Sequence, residues 1–305
     1  MRTFRAVVAG AVSVVALSAL LTGCSSPSAS GSGSDSRLQV VTSTDVYGDI
    51  AGRIGGSAVD VTSIITSAAQ DPHEFQASAR NQLEVSKADV VIENGGGYDD
   101  YMGQMLKTAA RPDVKVINVV GLSGKKPDAD GDLNEHVWYD MPTMLKLSAR
   151  LVSTLSRLDP GHARTFAANG ASFDRAIAGI QGREAVLKAK YAGEGVSITE
   201  PVPLYMLDAI GLDNKTPEEF SKAIEDGTDV APAIFEQTLK LYSEHRVRAL
   251  VYNEQTSGPE TTAVVSAAKS AKIPVVGVTE TLPDGLSYIG WMTRNVDEIG
   301  KALAK

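Results

Sequence analysis

The sequence predicts an α/β protein: two parallel-sheet βα lobes joined by one long helix, with a ligand cleft between the lobes. Three observations carry this expectation. Short β-branched runs at 38–43, 59–65, 88–93 and 114–119 alternate with helix-like segments at 46–54, 78–87 and 98–109. A second series repeats the pattern, with strands at 195–199, 249–252 and 274–278 and helices at 201–210, 231–244 and 260–271. Strand–helix alternation of this kind is the mark of βαβ units around parallel sheets. Between the two series, residues 160–191 place Phe166, Phe173, Ile177, Ile180 and Leu187 at helical spacing, with no proline after Pro160.

Each element has a local reason. Pro160 suits a first helical turn behind Asp159 as cap. About 28 residues of helix would measure roughly 42 Å, the length of a whole lobe. The boundaries expected are therefore a first lobe over 37–159, a linking helix over 160–191 and a second lobe over 192–305. In open parallel sheets a ligand belongs in the crevice at the carboxyl ends of the strands, here between the lobes.

The N-terminus reads as an export signal over 1–23: Arg2 and Arg5 precede an apolar run over 6–21, too short for a comfortable bilayer span. The run closes on Leu21-Thr22-Gly23-Cys24, which resembles a bacterial lipobox. Cys24 is the single cysteine of the chain, so it is expected to be lipidated and no intramolecular disulfide can form. The alternative is an ordinary signal peptide with a chance cysteine. Residues 25–36, SSPSASGSGSDS, form a flexible tether with a reach of roughly 20 Å. No later segment is apolar for long enough to span a membrane.

Composition narrows the function. The 305 residues are 43% hydrophobic and 22% charged, enough for a sizeable core. Without Arg2 and Arg5, 27 basic face 37 acidic residues, a balance of -10. That sign argues against nucleic acid, whose phosphates demand a basic face, and is compatible with handling cations.

Four polar groups stand at strand ends or in loops facing the expected cleft. His73 lies in DPHEF after the second strand, and His136 in NEHVW after the fourth. Glu200 follows the first strand of the second lobe in ITEP, and Glu280 follows the last strand in VTET. Imidazole nitrogen with carboxylate oxygen suits zinc or manganese, and two carboxylates cancel the charge of one divalent ion. Spacing alone is a modest signal, since no tight HxxxH or CxxC pair is present.

Three segments carry a resemblance. DPHEFQASARNQLEVSKADVVIENGGGYDDYM resembles the first lobe of the zinc/manganese receptor family of bacterial ABC importers. NEHVWYDMP is similar to that family's second histidine motif, and the closing stretch VYNEQTSGPETTAVVSAAKSAKIPVVGVTETLPDGLSYIGWM is similar to its C-terminal lobe. The resemblance implies a lipid-anchored, monomeric extracytoplasmic receptor. It would bind one zinc or manganese ion per chain and hand it to an ABC permease and its ATPase. Carried over position by position, His73 and His136 match the two imidazole positions, Glu200 the third ligand and Glu280 the fourth. Two departures stand out: Glu135 replaces the usual proline before the second histidine, and residues 121–134 lack the histidine-rich loop of many zinc receptors. The second departure weakens zinc relative to manganese. Asp284 is a rival fourth ligand, although Pro283-Asp284-Gly285 reads equally as a β-turn.

Other features read as structural. Gly95-Gly96-Gly97 suggests a turn, since no GxGxxG or GK[ST] follows. Asp99 and Asp100 are expected to act as helix N-terminal charges, and Asp140 as an N-cap. His162 and His245 are expected on the solvated surface, and Trp138 and Trp291 in the core or cleft wall. Tyr47 and Gln255 could approach the site. Two other functions compete: a same-fold receptor for a siderophore or corrinoid, which needs a wide aromatic or Arg-lined cleft, and a secreted zinc hydrolase, which needs an open coordination position.

Overall fold

The protein is described by a computed structural model over residues 37–67, 70, 72–127 and 133–305. The expected signal segment, Cys24 and the tether lie outside the described residues.

The first lobe runs β1 (Leu38–Thr44), α1 (Asp45–Gly55), β2 (Val59–Ile65), α2 (Ala79–Lys87), β3 (Val90–Glu93), α3 (Asp100–Ala109), β4 (Lys115–Asn118), α4 (Val119–Ser123) and α5 (Met141–Leu158). The second runs β5 (Gly195–Ile198) after the long helix α6 (Ala163–Tyr191), then α7 (Leu204–Ile210), β6 (Asp213–Asn214), α8 (Glu218–Glu225), α9 (Pro232–Ser243), β7 (Leu250–Asn253), α10 (Pro259–Ser270), β8 (Val275–Val278) and α11 (Tyr288–Leu303). Both sheets are parallel, with orders β2-β1-β3-β4 and β6-β5-β7-β8. In each, the chain leaves its first strand in one direction and returns on the other side. The crevice at that switch point, beyond the ends of β1 and β3 and of β5 and β7, is where loops diverge and a ligand fits.

Local chemistry explains the helix starts. Ser78 accepts from the Asn81 backbone N–H in a capping box before α2, Asp140 accepts from the Thr143 N–H before α5, and Ser287 accepts from Gly290 before α11. Asp159 caps a short 3-10 turn (Pro160–His162) that leads into α6. Phe166, Phe173, Ile177 and Ile180 form the buried stripe of α6. Its 29 residues span roughly 44 Å. Gly170 lets α5 approach: a Cβ there would lie 2.5 Å from Val152 Cγ2.

The lobes are joined by more than the linking helix. One continuous apolar core takes in Val40, Ile50 and Trp138 of the first lobe, Phe173 of α6, and Ile198 and Trp291 of the second. Hydrogen bonds cross with it: Tyr288 Oη donates to Trp138 O at 2.6 Å, Tyr139 Oη donates to Thr279 O at 2.7 Å, and the Tyr288 N–H donates to Asp49 Oδ2 at 2.9 Å. Smaller apolar clusters close the outer faces, one around Ile65, Val91 and Met102 and another around Phe220, Leu241 and Val264. β6 and α8 are not among the elements expected from sequence: β6 is only two residues long, and α8 is a short helix of eight residues whose buried Phe220 and Ile224 stand at i, i+4. Among the described residues no helix is long and apolar enough to cross a membrane.

Candidate metal centre

A cavity of about 930 Å³ opens between the lobes, lined by His73, Gly96 and Glu135 from the first and by Pro201, Ser221 and Glu225 from the second. His73 stands in the loop between β2 and α2, where Phe75 packs on Tyr101 with ring centroids 4.8 Å apart. Its Nε2 lies 3.7 Å from Glu135 Oε1. His136 precedes a 3-10 turn (Val137–Tyr139) and is 1% exposed. The Tyr98 ring stands between the imidazoles, 5.2 Å from His73 and 6.1 Å from His136, and Trp138 backs His136 at 5.1 Å. Trp138 thus backs the site from the shared core, which also holds Trp291.

The second lobe supplies carboxylates. Glu200 is buried at the end of β5. Glu280 leaves β8, and its Oε1 accepts from Asn253 Nδ2 at 2.6 Å. Gln255 holds that loop: its Oε1 accepts the backbone N–H groups of Glu280 at 2.6 Å and Thr281 at 3.0 Å. Glu225, at the last position of α8, brings its Oε1 to 3.8 Å from His136 Nδ1. Ligand-type atoms of Glu135, His136 and Glu225 lie within 4.8 Å of one another. Glu225 has no signature in the local sequence, because only the fold of the second lobe carries α8 to the histidine. Glu135 is visible in sequence only as a departure from a motif.

The electrostatics tie these residues into one cluster. Burial, and then the charges of Glu135, Glu200, Glu280 and Asp226, push the Glu225 carboxyl up to about 9. Burial followed by Asp226 raises Glu135 to about 7. Burial followed by His73 lowers His136 to about 3, so its imidazole is neutral at physiological pH. A concentration of buried acid and neutral imidazole is costly by itself and is relieved by a divalent cation. The donor set, two imidazoles with several carboxylates, matches zinc or manganese, since nitrogen donors fit magnesium and calcium poorly.

Some residues do other work. Asp99 heads α3 by position, yet its carboxylate turns back and accepts from the backbone N–H groups of Asn94 at 2.6 Å and Gly95 at 2.8 Å. It therefore braces the Gly95-Gly96-Gly97 loop, all three glycines having positive φ, from the N-cap position of α3, where it makes no capping hydrogen bond to the helix. Asp284 is exposed in the Pro283–Leu286 turn, where the Leu286 N–H donates to Pro283 O at 3.1 Å. His162 lies at the surface as expected, its side chain 39% exposed, with Nδ1 2.6 Å from Asp159 Oδ2; His245 is exposed too. Tyr47 is buried and its hydroxyl donates to the Asn94 side chain, whose Nδ2 donates to Glu135 O at 3.0 Å. Tyr47 thus reaches the site through that chain of contacts.

Comparison with known proteins finds the same architecture. The family described as zinc-uptake complex component A periplasmic (ZnuA) matches residues 40–302. The manganese ABC transporter substrate-binding lipoprotein scaA of Streptococcus gordonii is 23% identical over 305 residues, covering 93% of this chain and 95% of its own. The manganese-binding lipoprotein MntA of Halalkalibacterium halodurans is 24% identical over 301 residues, covering 96% and 97%. The solved periplasmic zinc binding protein TroA of Treponema pallidum superposes with a TM-score of 0.72 at 19% identity, over 88% of this chain and 100% of that one.

Proposed function

The chain belongs to the zinc-uptake complex component A periplasmic family, and from that premise we propose that it is an extracytoplasmic receptor for a divalent transition metal, zinc or manganese. It would deliver its ion to an ABC permease for uptake, as the substrate-binding role in its relatives' names implies. One ion per chain would be held by His73 and His136 from the first lobe and by Glu200 and Glu280 from the second. Glu135 and Glu225 supply negative field beside it. The observation that carries this reading is one acidic cavity lined by His73 and Glu135 of the first lobe and Glu225 of the second, with His136 grouped beside Glu135 and Glu225 and with Glu200 and Glu280 near enough to act on the Glu225 charge. The metal is cargo here, and the reading as a binding protein and not a hydrolase rests on the transport roles named for the relatives. A siderophore or corrinoid receptor is disfavoured, because the described lining of the cavity carries the acids Glu74, Glu135, Glu218 and Glu225 and, among the described residues, no arginine. Cys24 is the proposed lipid anchor, consistent with the lipoprotein relatives.

Calorimetric titration of zinc and manganese into His73→Ala, His136→Ala, Glu200→Ala and Glu280→Ala tests the ligand set. Loss of even an outer partner costs a metal site roughly 10- to 100-fold in affinity, so each variant should lose at least about that much. Asp284→Ala, in its exposed turn, should bind like the parent. Parental affinity in His73→Ala or His136→Ala would refute the site.

A further inference from the structure

Asn134 stands two residues before His136 and engages both polar ends of its side chain. Its Oδ1 lies 3.0 Å from the His136 backbone nitrogen and 2.8 Å from His136 Nδ1. Its Nδ2 lies 3.1 Å from the carbonyl oxygen of Pro201, the residue after Glu200 in the opposite lobe. Tyr205 Oη, from α7, donates to the Asn134 carbonyl at 2.6 Å.

These contacts admit one proton arrangement. A backbone N–H can only donate, so the amide atom facing it is the oxygen. A backbone carbonyl can only accept, so the atom facing Pro201 is the NH2. Both ends demand the same orientation of the amide. An amide oxygen has no proton to give, so His136 Nδ1 must carry the hydrogen of their contact. A metal-ligating imidazole is neutral and carries a single N–H, which leaves the Nε2 lone pair as the donor. Glu225 Oε1, 3.8 Å from the same Nδ1, is beyond hydrogen-bond reach, so the amide holds that proton.

We propose that Asn134 is a positioning residue that locks His136 in the Nδ1–H tautomer, aims Nε2 at the ion, and ties this ring to the Glu200–Pro201 loop of the other lobe. The inference rests on the reading of His136 as a ligand. It assigns to one amide two jobs: selecting the coordinating nitrogen and coupling the ligands of the two lobes.

The test measures the ring directly. Long-range 1H–15N correlation spectra of the metal-free, 15N-labelled full chain at neutral pH distinguish a protonated from a bare ring nitrogen. With only four histidines, His136 is identified by comparison with His136→Gln. The parent should show Nδ1 protonated and Nε2 bare. Asn134→Ala should mix the tautomers and weaken zinc and manganese binding roughly 10- to 100-fold, the usual cost of losing such a partner. Asn134→Asp can still accept both His136 bonds but cannot donate to Pro201, so it should keep the tautomer and show an intermediate affinity. An Nε2–H tautomer in the parent overturns the proposal, as does parental affinity with an unchanged tautomer in Asn134→Ala. If Asn134→Ala fails to fold, the parent and Asn134→Asp spectra still decide the tautomer. A parent with the expected tautomer that binds neither metal would support the assignment and separately refute the receptor function.

Discussion

Replacing Glu184 with glutamine should stabilise the protein, and more so at alkaline than at acid pH. Glu184 continues the buried stripe of α6 one helical turn beyond Ile180, and it is 4% exposed. Its Oε1 has no hydrogen-bond partner among the described residues. Burial, with Asp140 as the second cause, raises its carboxyl from 4.5 to about 7. A raised acid holds its proton more tightly in the folded state. The associated stability is therefore complete below the unfolded value near 4.5 and is lost as pH climbs through 7. The gap between those two values sets a ceiling of ~3 kcal/mol, and partial solvent screening brings it to ~2 kcal/mol at pH 8 and well under ~1 kcal/mol at pH 5. Glutamine mimics the protonated acid without the charge. At roughly 2–4 °C per kcal/mol for a folded unit of this size, Glu184→Gln should raise Tm by ~4–8 °C at pH 8 and by no more than ~2 °C at pH 5. Calorimetric melting of the metal-free protein at both pH values measures this. Equal shifts at the two pH values, or a fall in Tm at pH 8, would refute the reasoning. Metal affinity should stay within about twofold of the parent, because Glu184 lies outside the cavity lining.

Gln255→Ala removes the acceptor for two backbone N–H groups of the Glu280 loop. It should cost ~2–4 kcal/mol of stability by chemical denaturation and roughly tenfold in metal affinity. Gly95→Ala places a Cβ 2.3 Å from Asn118 Nδ2 at a φ of +79°, so it should destabilise by ~2 kcal/mol or more and displace the Asn94 bridge to Glu135. Ion binding at pH 7 should expel roughly one proton, mainly from Glu225, whose carboxyl stands at about 9 in the metal-free protein. The sign follows from the raised value: affinity should climb with pH towards 9. Titrations in buffers of different ionisation enthalpy count that proton, which should largely vanish in Glu225→Gln.

Much of the fold was legible in sequence because its signals are local. The β-branched runs became β1 to β5 and β7 to β8, the spaced apolar residues of 160–191 became the buried stripe of α6, and Asp140 became an N-cap. These depend on side chains a few residues apart, which periodicity and capping chemistry report. His73, His136, Glu200 and Glu280 could be named as candidates because strand ends and short motifs mark them. Other assignments needed the tertiary structure. Asp99 braces a glycine loop because the chain folds back on it, and not because of its place before α3. Glu225 reaches His136 at a sequence separation of 89, and Asn134 meets Pro201 at a separation of 67. No periodicity encodes such meetings. They follow from how two sheets, one spine helix and a shared apolar core bring distant loops to one cavity, where burial and neighbouring acids then raise the carboxyls of Glu135 and Glu225.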